Sequence, residues 1–262
     1  MADSPLIFVH GWATDSLVWE EAQKGFGERA DRLDLPGHGG PVNWDEPTLT
    51  PAIRAIKEAL KPLGRTKAIG VGWSLGSMAL VASLSEIRDS FRALVLVGST
   101  PCFVEKEDFP WGQPKALVKR MIMDMRKEPA PTLARFYGLN FTDEERKTPA
   151  AVKMMDRYAF PGPVICEGAV PGCYPAFKYE EITKALEALY MTDLREELKA
   201  IDIPVLLVHG RLDSICPIGA AEYMGSRIKG ARLEVIDNAG HAPHITRPEL
   251  FNTILRDFLA GL

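Results

Sequence analysis

The chain has 262 residues, 46% of them hydrophobic and 25% charged, with a formal net charge of −4. That length is long for one domain and short for two, and the composition is that of a globular protein able to bury a large core. The negative balance argues against non-specific nucleic-acid binding, and no run approaches about 18 uninterrupted apolar residues, so no nucleic-acid partner and no membrane span are expected.

Met1-Ala2-Asp3-Ser4-Pro5 has neither a basic patch nor a long apolar run, so no secretory signal is expected and the setting reads as cytoplasmic. The four cysteines, Cys102, Cys166, Cys173 and Cys216, form no C-x-x-C pair, and no histidine cluster stands at zinc spacing. They read as free thiols of a reducing compartment, with a Cys166–Cys173 disulfide as the lesser alternative. No metal is expected.

Leu6-Ile7-Phe8-Val9 is a short buried strand running into His10-Gly11-Trp12. A short helix follows between Leu17 and Gly25, with Asp15 or Ser16 as its cap. Arg32-Leu33-Asp34-Leu35 reads as a second strand, broken by Pro36-Gly37-His38-Gly39-Gly40. Ile53, Ile56, Ala59, Leu60 and Leu63 follow helical spacing within 49–63. Ala68-Ile69-Gly70-Val71 is the next strand, followed by Gly72-Trp73-Ser74-Leu75-Gly76-Ser77 and an apolar helix from Met78. Ala93 to Val97 is a further buried strand. Strands that alternate with helices and lack polar faces imply a mostly parallel sheet covered on both sides, an α/β fold.

Beyond Pro101 the strand-like runs stop. Amphipathic segments appear at 114–126, 131–141, 149–158 and 179–190, separated by joints such as Phe160-Pro161-Gly162-Pro163 and Val170-Pro171-Gly172. About a hundred residues separate the flanking strands, far more than one crossover requires. Residues 1–100 and 191–262 are therefore expected to form the core and 101–190 an inserted helical cap. The sheet resumes at Pro204–Val208, ending in His209-Gly210-Arg211-Leu212-Asp213, and a helix is expected over 219–229. Leu233–Ile236 is the last strand, ending in Asp237-Asn238-Ala239-Gly240-His241, and a docking helix covers 248–259.

The chemistry gathers around Ser74. Gly72 and Gly76 flank it in a G-x-S-x-G turn between strand and helix, a geometry that exposes a hydroxyl beside a helix N-terminus. A serine hydroxyl needs a base, and the base needs a carboxylate to orient it. Asp213 and His241 each follow a strand, as Ser74 does, so all three converge at the carboxyl edge of the sheet. Asp237 is the alternative acid. His10 is placed beside the oxyanion loop, His38 in a turn, His209 at a strand end, and His244 at the surface or against the cap. Two backbone donors are needed for an oxyanion, and Leu75 and Trp12 are placed to supply them. The side chains of Trp12 and Trp73 either wall the acyl pocket or pack as core aromatics. No phosphate loop or dinucleotide fingerprint competes.

The turn His10-Gly11-Trp12, the elbow Gly72–Gly76, the strand end His209–Asp213 and the loop Ala239-Gly240-His241-Ala242-Pro243 together resemble the α/β-hydrolase esterases. Ser99-Thr100-Pro101-Cys102-Phe103, Phe109-Pro110-Trp111 and Thr192-Asp193-Leu194-Arg195 are similar, more narrowly, to the pimeloyl-[acyl-carrier protein] methyl ester esterases of biotin synthesis. The resemblance implies an α/β-hydrolase fold with a cap. It implies Ser74 as nucleophile, Asp213 as acid, His241 as base, and Trp12 and Leu75 at the oxyanion and substrate. It also places Phe136, Tyr137, Gly138, Leu139 and Asn140 along an acyl channel. It implies a methyl ester of pimeloyl-acyl carrier protein as substrate; a monomer that requires no cofactor is expected.

Between Lys115 and Arg157 there are ten Lys and Arg against six Asp and Glu. That excess fits either an acidic carrier or the solvated faces of helices, and Arg135, Arg146, Lys147, Lys153 and Arg157 are the candidate contacts. Departures from the family are the missing leading hairpin, Ser77 where a glycine is common, and a longer cap loop at 161–175. The rival readings are a general short-chain carboxylesterase, a hydrolase of another small-molecule ester or C–C bond, and a receptor that holds an acyl ligand without turnover. Serine at the elbow disfavours dehalogenase and epoxide hydrolase chemistry, which use aspartate there.

Overall fold

A computed structural model describes residues 4–39, 42–159 and 177–262. The joints expected at 160–163 and 170–175, and with them Cys166 and Cys173, lie outside the described residues. Six described strands form one sheet: β1 Leu6–Val9, β2 Ala30–Leu33, β3 Ala68–Trp73, β4 Phe91–Val97, β5 Val205–Gly210 and β6 Arg232–Ile236. Their spatial order is β2-β1-β3-β4-β5-β6 and every pairing is parallel. The strand order reverses between β1 and β3, so a crevice is expected outside their carboxyl ends. β1, β3, β4 and β5 are apolar and buried along nearly their whole length, as central strands covered on both faces must be.

The helices are α1 Glu20–Lys24, α2 Thr50–Leu60, α3 Leu75–Ile87, α4 Lys115–Lys127, α5 Pro129–Leu139, α6 Pro149–Ala159, α7 Tyr179–Met191, α8 Ile218–Arg227, α9 Pro243–Thr246 and α10 Pro248–Ala260. Asp15 caps the 3₁₀ turn before α1 by accepting the Leu17 N–H at 3.0 Å. β2 begins two residues earlier than its apolar run predicts. The chain leaves the sheet after Leu33 because the Leu35 N–H is donated to His10 Nε2 at 2.9 Å rather than to a neighbouring strand.

α4 to α7 all lie between β4 and β5 in sequence, with α4 packed on α7 and α5 on α6. The two chain segments that enter and leave this block are tied side by side. Leu194 N–H donates to Pro101 O at 2.8 Å, and Cys102 bridges Asp193. The block also reaches the loop after β1: Tyr137 Oη donates to Ala13 O at 2.6 Å, and the Tyr158 hydroxyl to Asp15 Oδ1 at 2.6 Å.

All five histidines are buried, and His10, His38 and His244 are packed into the interior away from Asp213. His38 donates from Nδ1 to Pro36 O at 2.7 Å and lies 5.3 Å from the His10 ring. His244, expected at the surface or against the cap, is not at the surface: it is buried against Trp19, Trp73 and Phe251, because the short α9 turns it inward. Burial holds His10 and His244 below the usual histidine range, and it holds His38, beside His10, at about 3. Below about pH 6.5 the unfolded chain takes up protons that these folded histidines refuse, so stability falls with falling pH. Urea unfolding midpoints should therefore drop steadily from about pH 6.5 to 4.5. The His38→Asn variant should show a slope shallower by about one proton, and an unchanged slope would contradict a neutral buried His38.

α3 starts against β1. A β-carbon at Gly76 would lie 2.3 Å from Val9 O and 2.6 Å from His10 O, both backbone atoms. Gly76→Ala should lower the unfolding free energy by about 2–3 kcal/mol through overpacking. A variant as stable as the parent in urea titrations would show that α3 can move off β1.

Candidate active site

Because all strands run the same way, the residues following β1, β3, β4, β5 and β6 share one edge of the sheet. Ser74 follows β3 at φ 53°, ψ −113°, a backbone conformation costing roughly 1–3 kcal/mol outside glycine. Surrounding contacts hold it there. Ser74 N–H donates to Val97 O at 2.9 Å, and Ser74 O accepts the Met78 N–H at 3.1 Å, opening α3. Gly72 completes the turn, since a β-carbon there would lie 2.6 Å from Ser77 N. Ser77, a departure in sequence, adds a strut: its Oγ donates to Gly72 O at 2.8 Å. Ser74 itself is half-buried.

Asp213 sits in the loop after β5 and is buried. Its Oδ1 accepts the N–H groups of Ile215 and Cys216 at 2.9 and 2.8 Å. Its Oδ2 lies 2.7 Å from His241 Nδ1 and 3.3 Å from His209 Nε2. Burial alone would raise this carboxyl, but the attraction of His241 and hydrogen bonds from His209 and His241 outweigh it. The net effect holds the acid well below the usual carboxylate range. A carboxylate at Nδ1 fixes the proton there and leaves the Nε2 lone pair for chemistry. His241 Nε2 is buried and has no hydrogen-bond partner among the described residues.

Ser74 and His241 meet at the same corner through β4. Trp73 pairs in register with Val97, and Gly98 follows with φ +51°. A β-carbon at Gly98 would sit 3.0 Å from His241 Nδ1 and 2.8 Å from its carbonyl. Trp73 Nε1 donates to His241 O at 2.9 Å. The loop is held from its other side by the segment joining α5 to α6. His241 N–H donates to Asn140 O at 2.9 Å, and Gly240 N–H to Glu145 Oε2 at 2.8 Å.

Leu75 is the first residue of α3, so its N–H has no acceptor within the helix. Trp12 follows Gly11 on the neighbouring strand's loop. Its indole is buried, donates to Ile182 O of α7 at 2.6 Å, and stands edge-on to Phe136 at 4.8 Å. Both Trp12 and Trp73 thus use their indole nitrogens as ties. Phe136 and Tyr137 are buried, Gly138 is half-buried, Leu139 is 49% exposed, and Asn140 is buried under the His241 loop. The alternative acid Asp237 is exposed and paired with Arg211 at 2.5 Å, remote from His241 in its bonding.

The basic residues between α4 and α6 are largely ion-paired. Arg146 joins Asp143 at 3.1 Å, Lys147 joins Glu144 at 2.7 Å, and Lys153 joins Glu20 at 3.3 Å. Arg157 turns inward onto Asp15 at 2.5 Å, beside the Tyr158 hydroxyl on the same carboxylate. Arg135 is 59% exposed, with Asp124 and Glu128 at 3.9 and 4.0 Å. Among the described residues no three His, Cys, Asp or Glu side chains gather as a metal site, and no helix is long and apolar enough to cross a membrane. Cys102 and Cys216 are buried free thiols.

Two residues of this site carry no clear signal in the sequence. His209 stands four residues before Asp213 and reads only as a strand end, yet it lines the acid. Glu145 lies in the charged run Asp143-Glu144-Glu145 and reads as solvated surface, yet it is 1% exposed. The spacing Thr142-x-x-Glu145 marks a helix capping box and nothing more.

The model of the alpha/beta hydrolase family matches residues 6–254. A pimeloyl-[acyl-carrier protein] methyl ester esterase of Nitrosomonas europaea is 34% identical over 248 residues, 94% of this chain and 92% of that protein. The enzyme of the same name from Aromatoleum aromaticum is 31% identical over 263 residues, 98% of each chain. Among solved structures, an esterase from Exiguobacterium antarcticum superposes with a TM-score of 0.85 at 23% identity, over 98% of this chain and 92% of that one. An enol-lactonase from Burkholderia xenovorans gives 0.81 at 20% identity, over 99% and 92%; at such identities these two speak to the fold alone. The chain belongs to the alpha/beta hydrolase family, and these two curated relatives are pimeloyl-[acyl-carrier protein] methyl ester esterases.

Proposed function

We propose that this protein is a serine esterase that hydrolyses the methyl ester of pimeloyl-acyl carrier protein in biotin synthesis, releasing methanol. The observation that carries the hydrolytic part is the Asp213–His241 hydrogen bond of 2.7 Å, with a strained Ser74 at the same edge of the sheet. The substrate part rests on the names of relatives at 34% and 31% identity over nearly the whole chain. In this reading Asp213 fixes the Nδ1–H tautomer and Nε2 of His241 takes the Ser74 proton. Ser74 Oγ attacks the ester carbonyl, and the Leu75 and Trp12 amides hold the oxyanion. His241 then hands its proton to the departing methoxide, and water activated by His241 cleaves the acyl-enzyme. Both half-reactions balance on protein groups, substrate and water.

Residues 101–190 act in this reading as the cap, with Phe136 to Asn140 along the acyl chain and the backbone end of α5 docked on the base. The enzyme works in the cytoplasm as a monomer. Arg135 and Lys147, 59% and 69% exposed, are two of the basic side chains that an acidic carrier could reach, beside Lys153 at 74%.

Ser74→Ala should lower kcat on p-nitrophenyl butyrate by on the order of 10⁴-fold or more, and Asp213→Asn by about 10⁴-fold, with near-ultraviolet dichroism unchanged. Near-normal turnover by Ser74→Ala would end the esterase reading. The carrier is tested separately. Arg135→Glu with Lys147→Glu should cut the ratio of kcat/KM on pimeloyl-carrier methyl ester to that on the free ester at least fivefold at low salt. A ratio that does not move would remove this surface as the carrier site, and no preference for the carrier-bound ester in the parent enzyme would leave a general esterase.

A further inference from the structure

Glu145 is a buried carboxylate with no Lys, Arg or His within ion-pair distance among the described residues. A charge in that position is costly unless several donors satisfy it. Three do. Oε2 accepts Thr142 N–H at 3.0 Å and Gly240 N–H at 2.8 Å, and Oε1 accepts the Thr246 hydroxyl at 2.5 Å. The first of these, with Glu145 N–H donating to Thr142 Oγ1 at 3.2 Å, is an ordinary capping box within its own turn. The other two leave that turn. They grip residues 240 and 246, which bracket the segment bearing His241.

The fit around this grip is close. A β-carbon at Gly240 would lie 2.8 Å from Asn140 O and 3.0 Å from Glu145 Oε2, so the loop lies flush against the α5–α6 joint. The next N–H, that of His241, donates to Asn140 O at 2.9 Å. Two successive amides of the base's loop are thus received by the inserted block rather than by the sheet.

We infer that Glu145 is a positioning residue for His241: its carboxylate clamps Gly240 and Thr246 and so sets the height and direction of the imidazole at Ser74. This inference rests on the esterase reading above. The backbone carbonyl of Asn140 and the Asp213 carboxylate fix two further points of the same loop, and Glu145 supplies the point that neither can.

The test is a set of variants assayed on p-nitrophenyl butyrate in the intact protein. Glu145→Ala should lower kcat by about 10- to 100-fold with KM within threefold, at a temperature where dichroism shows it fully folded. Glu145→Gln keeps an oxygen for the two amides and a group facing Thr246, and should retain at least a third of the parental kcat. Amide exchange at Gly240 and His241 should accelerate in Glu145→Ala beyond that of β3 and β4. Because both groups act through the imidazole, Glu145→Ala added to Asp213→Asn should cost well under its effect alone. A Glu145→Ala enzyme with kcat within twofold of the parent, or multiplicative effects in the double variant, would overturn the inference. Ser74→Ala is run alongside: its retention of turnover would overturn the esterase reading, whereas its inactivity with a fully active Glu145→Ala would overturn only the role of Glu145.

Discussion

The structure depends on the absence of side chains at two points of the elbow. Gly76 brings the first turn of α3 onto the carbonyls of Val9 and His10, and Gly72 lets β3 turn back against Ser77. Those approaches press Ser74 into a left-handed backbone that its own sequence does not favour, and the sheet holds it through the Val97 carbonyl. Strain of this kind persists only where surroundings over-determine it. Here it is over-determined by β1 on one side, β4 on the other and α3 behind.

Electrostatics reinforce that arrangement. Burial keeps His10, His38 and His244 below the ordinary histidine range, so near neutrality they serve as uncharged polar packing. Asp213 is the opposite case, a buried group kept ionised by two backbone N–H donors and two imidazoles. Cys216, whose amide binds that carboxylate, has its thiol pushed up by burial and by the Asp213 charge, which keeps it protonated. Asp213 is thus the ionised acid in direct contact with the His241 imidazole.

Much of this could be read from the chain because it depends on period and punctuation. Apolar runs ending in Trp73-Ser74, Gly210-Arg211 and Ile236-Asp237 fix where a parallel sheet delivers its loops, and together with the G-x-S-x-G turn they point to Ser74, Asp213 and His241. What the chain hid depends on tertiary partners. His244 follows a proline in a four-residue helix, and only packing against Trp19 and Trp73 turns it inward. β2 is displaced because a histidine side chain takes the Leu35 amide. The positive tally over 115–157 is a sum over residues, whereas the folded chain cancels most of it pair by pair, with partners as distant as Asp15, Glu20 and Glu187.

The Asn140 and Glu145 contacts to residues 240 and 241 bear on how such a protein can change. Insertions over a sheet edge are often regarded as interchangeable modules that set substrate choice while the core keeps its chemistry. Here the block between β4 and β5 contributes the seat of His241, the base of the proposed reading. Replacing it wholesale would also remove the backbone contacts that seat the imidazole. On the proposed reading, drift in substrate range would proceed by α5 side chains such as Phe136 and Leu139, while the backbone from Asn140 to Glu145 is held constant by the histidine loop it supports.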